Sequence, residues 1–161
     1  MSDEETPELH IRLARADDDE FIVSLAPRFA EFDLPAWRKE NDVVSWIHDD
    51  LLRTATNLPA GSHLFVAEDA DYEPVGMLHI QTTPDAYSKA LNCHISDLAC
   101  APEHDGKGIG PALLAYAEAW AREHRCRHVT LAVFPGNARG IAMYERHGYG
   151  VEVHRMVKKI G

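Results

Sequence analysis

The sequence predicts a mixed α/β fold with the element order β-α-α-β-β-β-α-β-α-β. Two observations lead to this prediction. Short runs with apolar residues at every second position alternate with longer runs whose apolar residues recur every three or four positions. The first pattern is typical of half-buried strands and the second of amphipathic helices. The 161 residues are 45% hydrophobic and 26% charged, as expected of a globular domain with a sizeable core.

The first half of the chain is predicted to hold one strand, two helices and three further strands. The apolar alternation over 9–13 indicates the first strand, and apolar residues four positions apart after Asp17 indicate the first helix. The other elements predicted in this half are a helix over 37–52 and strands over 63–68, 75–82 and 92–100.

The second half is predicted to alternate helices with strands. The helices are predicted over 109–124 and 137–147, and the strands over 128–133 and 150–157. Residues 1–8 are polar and acidic, so we expect a disordered tail there, followed by a single domain over 9–161. No internal repeat or low-complexity block interrupts this order.

Charge and cysteine content exclude several classes of function. With 16 basic and 26 acidic residues the net charge is −10, which argues against nucleic-acid binding and mildly favours cationic substrates such as amines. The three cysteines show no paired spacing, so neither a disulfide framework nor a metal site is predicted. No apolar run is long enough to span a membrane and the start is not a signal peptide, so a cytoplasmic location is expected.

The most informative segment is a glycine-rich loop between an apolar strand and a helix. Glycine occupies alternate positions at Gly106, Gly108 and Gly110, where bare backbone and the free N–H groups of a helix N-terminus bind phosphate well. The loop lacks the Lys-Ser or Lys-Thr pair of a P-loop. Its spacing also differs from the dinucleotide-binding G-x-G-x-x-G.

The loop resembles the acyl-coenzyme A loop of the GCN5-related N-acetyltransferase (GNAT) superfamily, whose pattern is [QR]-x-x-G-x-[GA]. Asp105-Gly-Lys-Gly-Ile-Gly110 matches it at every position but the first, where Asp105 replaces Gln or Arg. This departure places a carboxylate near the phosphates. Backbone amides contribute most of the binding, so we expect weaker affinity rather than none.

A second segment resembles the other half of the same family's core. Asn137 begins a run similar to N-x-x-[AG]-x-x-x-Y-x-[RK]-x-G-[FY], and Tyr144 falls at its tyrosine. Asn137 is a good helix cap, and Tyr144 lies about two turns further along the same face. The resemblance implies that the asparagine contacts the pantetheine arm and that the tyrosine protonates the leaving thiolate.

The resemblance implies acetyl-CoA (coenzyme A) as cofactor. It further implies that the fourth and fifth strands are parallel and splay apart, so that pantetheine pairs with the edge of the fourth strand. The residues expected to contact the cofactor are Leu98, Ala99, Cys100, Gly106, Lys107, Gly108, Ile109, Gly110, Pro111, Asn137 and Tyr144.

Several groups are candidates for the general base. His94 falls where histone acetyltransferases of the family carry Glu and arylalkylamine acetyltransferases carry His, and an imidazole suits proton transfer at neutral pH. Alternation along an unbroken strand predicts that His94 and Ser96 share a face with Leu98, whereas Asp97 points to the other face. His79, Asp97 and water-mediated transfer remain alternatives.

The resemblance implies an acceptor site between the first two helices, their loop and the hairpin of the third and fourth strands. The residues expected to contact the acceptor are Phe32, Asp33, Trp37 and His79. Aromatic side chains beside a carboxylate would suit an amine carried by an apolar body.

The sequence therefore predicts an N-acetyltransferase that transfers the acetyl group of acetyl-CoA to a primary amine of a small molecule or peptide, by direct attack in a ternary complex. Transfer of a longer acyl group or transfer to oxygen are alternatives within the same fold. A non-catalytic acyl-CoA-binding or regulatory module is the alternative from another class, and Asp105 keeps it open. A homodimer through the final strand is a further open alternative.

Overall fold

A computed structural model describes residues 7–161, so most of the predicted acidic tail over 1–8 lies outside the described residues. Across residues 7–161, five strands form one sheet in the order β1-β2-β3-β4-β5. Their bounds are β1 His10–Leu13, β2 Ser62–Glu68, β3 Pro74–Pro84, β4 Leu91–Cys100 and β5 His128–Leu131. The first four strands pair antiparallel, and β5 pairs parallel with β4. The predicted mixed α/β class is confirmed.

Four α-helices lie in the same described residues. Their bounds are α1 Asp19–Ser24, α2 Glu40–Thr56, α3 Ile109–Glu123 and α4 Ala138–Arg146. Short 3₁₀ helices occupy Ala16–Asp18, Ala26–Ala30 and Pro102–His104. Within residues 7–161, every helix is too short or too polar to cross a membrane.

Helices cover both faces of the sheet, and each face has its own core. On one face α3 buries Leu113 and Leu114 against Leu78 and Ile80 of β3. On the opposite face α1 and α2 pack with Met77 and other alternate strand residues. Neighbouring residues along β3 therefore enter different cores, as the pleat of a strand requires.

The alternation along β4 is interrupted by a β-bulge at Ser96. His79 pairs with Asp97 and Ile80 pairs with Ile95, which leaves Ser96 as an extra residue on β4. Ile95 consequently lies in the α3 core while Ala99, four positions on, lies in the α1/α2 core. In an unbroken strand these two residues would share one face.

The bulge also marks the point at which β4 and β5 separate. The parallel pairing runs from Asn92 with His128 to Ile95 with Leu131. Beyond Ile95, β4 continues to Cys100 alongside β3 alone. This arrangement matches the splayed fourth and fifth strands that the resemblance implied.

The predicted strand over 150–157 does not form. Residues 150–161 are exposed and extend from the domain without strand pairing. Strand periodicity indicates which conformation a segment favours, but a strand needs a hydrogen-bonding partner. In the described part of the chain, the edge of β5 that faces away from β4 is also unpaired.

A buried ion pair network fixes the start of the chain to the sheet. Arg12 of β1 donates to both carboxylate oxygens of Asp18, at 2.7 and 2.9 Å, and its Nη2 donates to Glu68 of β2 at 3.2 Å. Asp18 also accepts from the backbone N–H of Arg15 at 2.6 Å. The Arg12 hydrogen bonds hold the pKa of Asp18 below its ordinary value.

We predict that Arg12→Met lowers the free energy of unfolding at neutral pH by about 3 kcal/mol, because Asp18 and Glu68 would stay buried without their cation. The depressed pKa of Asp18 stabilises the native state above the ordinary carboxyl pKa, and this contribution is lost as the pH falls through the native value. The deficit of the variant should therefore shrink in acid. Urea denaturation at several pH values measures it.

Arg15→Met is the matched control, since the Arg15 side chain is exposed. Its effect should stay within about 0.5 kcal/mol. Equal losses in the two variants would contradict the assigned role of Arg12.

Candidate functional site

The glycine loop leads from β4 into α3 with its backbone open to solvent. Gly106 and Gly108 adopt left-handed φ angles of 76° and 78°, and Gly108 is the N-cap of α3. No described atom lies within 4 Å of where a Cβ of Gly106 would be. Lys107 is exposed between the two glycines, whereas Ile109 is buried and anchors the helix start. The loop thus presents main chain and one cation at a helix N-terminus, as an anion site requires.

The far side of the loop is packed closely against α4. A Cβ at Gly110 would lie 3.2 Å from the sulfur of Met143. The half-buried Pro111 follows in the first turn of α3. Its missing N–H costs nothing there, since the first amides of a helix have no intrahelical partner.

Asp105, at the position that departs from the family pattern, is held by two arginines. Its carboxylate pairs with Arg28, and Arg139 of α4 lies 3.4 Å away. Partial desolvation acts to raise the pKa of Asp105, yet the Cys100 thiol, Arg28 and Arg139 together keep the pKa below its ordinary value. The negative charge is therefore matched by cations that adjoin the glycine loop.

The end of β4 supplies unpaired main chain next to the loop. Leu98 and Cys100 pack toward the α3 core, while Ala99 is buried on the α1/α2 side. Because pairing with β5 stops at Ile95, the β5-facing edge of these three residues has no strand partner in residues 7–161. This edge can accept an extended ligand through backbone hydrogen bonds.

Asn137 and Tyr144 lie on α4 as the sequence predicts. The side chain of Asn137 accepts from the backbone N–H of Gly140 at 2.9 Å, which confirms the predicted helix cap. Tyr144 is half-buried, and its ring meets that of Tyr149 edge-on with centroids 5.8 Å apart. Desolvation raises the pKa of Tyr144, so the phenol stays protonated at neutral pH.

A histidine–aspartate pair lies across β3 and β4 at the bulge. Nδ1 of His79 is 2.9 Å from Oδ2 of Asp97. His79 is 3% exposed, and its Nε2 is buried with no hydrogen-bond partner among residues 7–161. Asp97 can accept the Nδ1–H of His79, and in a neutral imidazole held this way the lone pair would be on Nε2, the tautomer that a general base needs.

The faces expected from strand alternation are wrong for His94 and Ser96. These two residues share the α1/α2 face with Asp97, whereas Leu98 lies on the α3 face. Ser96 donates to Oε1 of Gln81 at 3.0 Å on the same face as Asp97. The bulge causes this change, since one extra residue reverses the facing of every later side chain.

His79 contributes to a cavity of about 540 Å³ between the end of α2 and the sheet. The lining is mostly polar and comes from α2, the connection to β2, and strands β3 and β4. The residues lining it are Asp50, Arg53, Thr54, Asn57, Leu58, Pro59, Ala60, His79, Gln81 and Ser96. The unpartnered nitrogen of His79 therefore belongs to a side chain in the wall of a polar cavity.

His94 lies on the same face as His79 but is bound differently. Its Nδ1 lies 2.8 Å from Oγ1 of Thr130 on β5. Desolvation lowers the pKa of His94, so the imidazole is neutral at pH 7. His94 is thus a neutral imidazole near the point where β4 and β5 separate.

Three of the four residues expected to contact the acceptor lie outside this cavity. Phe32 packs against Phe134 with ring centroids 6.0 Å apart. The backbone carbonyl of Asp33 touches Gly136, and Trp37 is 49% exposed. Of the four residues named for the acceptor, His79 alone lines the cavity described above.

Sequence reasoning missed the cavity residues contributed by α2. Asp50, Arg53 and Asn57 recur at helical spacing and so share one face of α2 and its end. That polar stripe could have been noticed, but nothing in the sequence indicates that it faces Gln81 and Ser96. The arginines that hold Asp105 were also missed, because Arg28 lies 77 positions away.

Comparison with known proteins identifies a family to which this chain is similar. The chain matches the model of the Acetyltransferase (GNAT) family over residues 20–149. It is 38% identical over 90 residues to the streptothricin acetyltransferase of Streptomyces lavendulae. That match covers 56% of this chain and 46% of the enzyme, so the chain matches under half of that relative's length.

Solved structures share the fold over nearly the whole chain. A Pyrococcus furiosus protein provisionally described as an acetyl transferase superposes with a TM-score of 0.75 at 26% identity, covering 95% of this chain and all of its own. The ribosomal-protein-alanine N-acetyltransferase of Brucella melitensis has a TM-score of 0.70 at 16% identity, covering 94% of this chain and 99% of its own. The latter likeness concerns the fold alone.

We predict that Gly136→Ala destabilises the contact between the 31–37 loop and the loop before α4. A Cβ at Gly136 would collide with the Asp33 carbonyl, and such overpacking costs about 1–3 kcal/mol. Gly150→Ala is the control, since no described atom lies within 4 Å of its Cβ position. Chemical denaturation and limited proteolysis of the 31–37 loop measure the effect. Unchanged stability in Gly136→Ala would contradict the contact.

Proposed function

The chain belongs to the Acetyltransferase (GNAT) family, and we propose that residues 9–161 form one N-acetyltransferase domain acting on a primary amine with acetyl-CoA as donor. The observation that carries the proposal is the pair of open glycines at the N-terminus of α3, next to the unpaired end of β4. The unpaired edge of β4 would supply backbone hydrogen-bonding groups to the pantetheine arm. The adjacent glycine loop would supply backbone amides to the phosphates. A small-molecule or peptide amine is the proposed acceptor.

The residues present suit acetyl-CoA. Gly106, Lys107, Gly108, Ile109 and Gly110 would hold the pyrophosphate through main-chain amides and one lysine. The remaining proposed contacts are the backbone of Leu98, Ala99 and Cys100, the α3 start at Pro111, and Asn137 with Tyr144 on α4. When bound, acetyl-CoA supplies an acetyl thioester, so that an amide C–N bond forms as the C–S bond breaks.

We propose His79 as the general base, oriented by Asp97. The Nδ1 contact with Asp97 fixes the tautomer and stabilises the imidazolium that forms when Nε2 takes a proton from the acceptor ammonium. His94 is the alternative base, because it is neutral and shares the same face. His79 is preferred because its free nitrogen has no partner in the described residues and its side chain lines the cavity.

Tyr144 is the proposed acid for the departing thiolate. Its raised pKa keeps the hydroxyl protonated, so it can donate without prior uptake of a proton. Proton flow would then run from the amine to His79 on one face of the sheet and from Tyr144 to sulfur on the other side of the splay. The base and the acid are therefore two separate side chains.

The polar cavity supports a polar acceptor. Asp50 provides a carboxylate that pairs with Arg53 at 2.8 Å, while Gln81 and Ser96 provide uncharged hydrogen-bonding groups. An overall charge of −10 attracts cationic molecules. The name of the Streptomyces lavendulae relative gives streptothricin as its substrate, and a polar cationic amine of comparable chemistry is a reasonable first acceptor to test here.

We predict that Gly108→Val weakens acetyl-CoA binding at least about tenfold. A β-branched residue at φ +78° is strained, and its Cβ would lie 3.3 Å from Pro7. Calorimetry with acetyl-CoA measures the affinity, and circular dichroism checks that α3 persists. Gly150→Val is the control and should bind normally. Normal binding by Gly108→Val would contradict the assignment of the loop as the phosphate site.

We predict that His79→Gln reduces turnover about 10²- to 10⁴-fold at neutral pH, with acetyl-CoA affinity unchanged. Asp97→Asn should reduce turnover as well, whereas His94→Gln should have a small effect. Free-thiol release with polyamines, aminoglycosides, arylalkylamines, amino acids and N-terminal peptides measures turnover as a function of pH.

These measurements distinguish His79 from His94 as the base, and an enzyme from a binding module. A loss in His94→Gln with activity retained in His79→Gln would assign the base to His94. If acetyl-CoA binds but no amine in the panel releases thiol, the proposal fails in favour of a binding module, which the carboxylate at Asp105 already makes worth testing.

A further inference from the structure

The cavity beside α2 is larger than a single amino group requires. Its volume of about 540 Å³ lies within the range of about 300–1,000 Å³ that is usual for small-molecule sites. Charged side chains of α2 line one side of it, and polar side chains of the sheet line the other. These groups indicate what an acceptor molecule carries besides the amine that reacts.

The sheet side of the cavity presents hydrogen-bond acceptors. Asp97 can accept the Nδ1–H of His79, and Nε2 is then an acceptor that is buried without a partner in the described residues. Ser96 donates its hydroxyl proton to Oε1 of Gln81 at 3.0 Å, so its oxygen retains lone pairs that can accept. The Gln81 amide is itself engaged, since its Nε2 donates to Ser62 at 3.0 Å. A ligand on this side must therefore supply N–H donors, as a protonated amine does.

The α2 side of the cavity adds a carboxylate that can bind a second cation. Oδ1 of Asp50 accepts from Arg53 at 2.8 Å, while Oδ2 accepts no hydrogen bond from the described residues. The Asp50 side chain is 32% exposed and that of Arg53 is 65% exposed. An ion pair between side chains this open to water is weak, so an ammonium group of a ligand can bind the free oxygen or displace Arg53.

Apolar residues complete the lining. The connection from α2 to β2 contributes Leu58, Pro59 and Ala60, whose surface can cover methylene groups of a ligand. The cavity thus combines acceptors on the sheet, a carboxylate on α2 and apolar surface between these elements in the chain. A molecule with two amino groups joined by methylenes has the complementary pattern, and the net charge of −10 attracts it.

We propose that the acceptor is a diamine whose first amino group lies at Nε2 of His79 and whose second, as an ammonium group, binds Asp50. The proposal rests on the acetyl transfer proposed above and adds a specificity residue to it. Asp50 touches neither the thioester nor the reacting amine in this arrangement, so it contributes to binding alone. A carboxylate in place of the second ammonium would be repelled by Asp50 and attracted by Arg53, so amino acids are the competing class of acceptor.

The first experiment compares cadaverine with aminopentanol and aminopentanoate, which keep the reactive amine and the chain but end in a hydroxyl or a carboxylate. Analogous sets with shorter and longer chains cover other separations of the two amines. Free-thiol release in the presence of acetyl-CoA gives kcat and KM. The native chain should have its highest kcat/KM with the diamine of the best length. Added salt should reduce that preference, since it screens the attraction to Asp50.

Asp50→Asn should lower the ratio of kcat/KM for the diamine to kcat/KM for the amino alcohol about tenfold, mainly through KM. Asp49→Asn is the matched control. Asp49 is the neighbouring carboxylate on α2, its side chain is 74% exposed, and it lies outside the cavity lining, so the ratio should stay at the native value. An unchanged ratio in Asp50→Asn would overturn the proposal, and so would equal losses with both acceptors.

Arg53→Gln tests the competing class of acceptor. Because Arg53 occupies the carboxylate that the second ammonium needs, its removal should raise the preference for the diamine. If aminopentanoate is instead the best acceptor and Arg53→Gln abolishes that preference, Arg53 binds a carboxylate of the acceptor and the proposal fails.

Calorimetry separates this proposal from the acetyl transfer on which it rests. The diamine is titrated into the native chain and into Asp50→Asn, each with and without coenzyme A. Binding that is about tenfold weaker in Asp50→Asn supports the diamine site even if no amine releases thiol. If other amines release thiol while no diamine binds or reacts, acetyl transfer stands and the diamine site is overturned.

Discussion

One extra residue in β4 determines how the candidate site is built. Ser96 has no partner on β3. Side chains after it therefore point to the face opposite to the one that alternation from the residues before it would predict. Pairing with β5 ends at the neighbouring Ile95. A bulge bends its strand and increases the local twist, which accounts for the separation of β4 from β5 at that point. The gap between β4 and β5 and the histidine–aspartate pair thus have one structural origin.

Segments distant in sequence then enclose this gap. Nε of Arg28 donates to the carbonyl of Cys100 at 3.0 Å, and Nη2 pairs with Asp105. A few residues on, Phe32 and Asp33 contact the loop that precedes α4. The connection between α1 and α2 therefore touches both the glycine loop and the opposite side of the splay. Changes in this connection would therefore affect both the glycine loop and the loop that precedes α4.

What could be predicted from the sequence was local. The glycine loop, the Asn137 cap and the order of elements from the first strand through α4 follow from short-range rules, and the structure agrees with them. The facing of the side chains on either side of the bulge could not be predicted, because a bulge depends on tertiary pairing and leaves no mark in the alternation. The predicted last strand does not form for a related reason. Val151 and Val153 favour an extended conformation, but they do not specify a strand to pair with. The Arg12 network joins residues up to 56 positions apart, beyond any local pattern.

Asp105 shows how a departure from a family pattern can be compensated in space. A lone carboxylate beside a phosphate would oppose binding by simple repulsion. Here Arg28 and Arg139 adjoin that carboxylate, and Lys107 lies within the same loop. Arg139 is 69% exposed in its side chain and 3.4 Å from Asp105, so its guanidinium would be accessible to a phosphate bound at the proposed site. The cation that the family pattern places within the loop motif would thus be replaced by cations from two other helices in the proposed phosphate site.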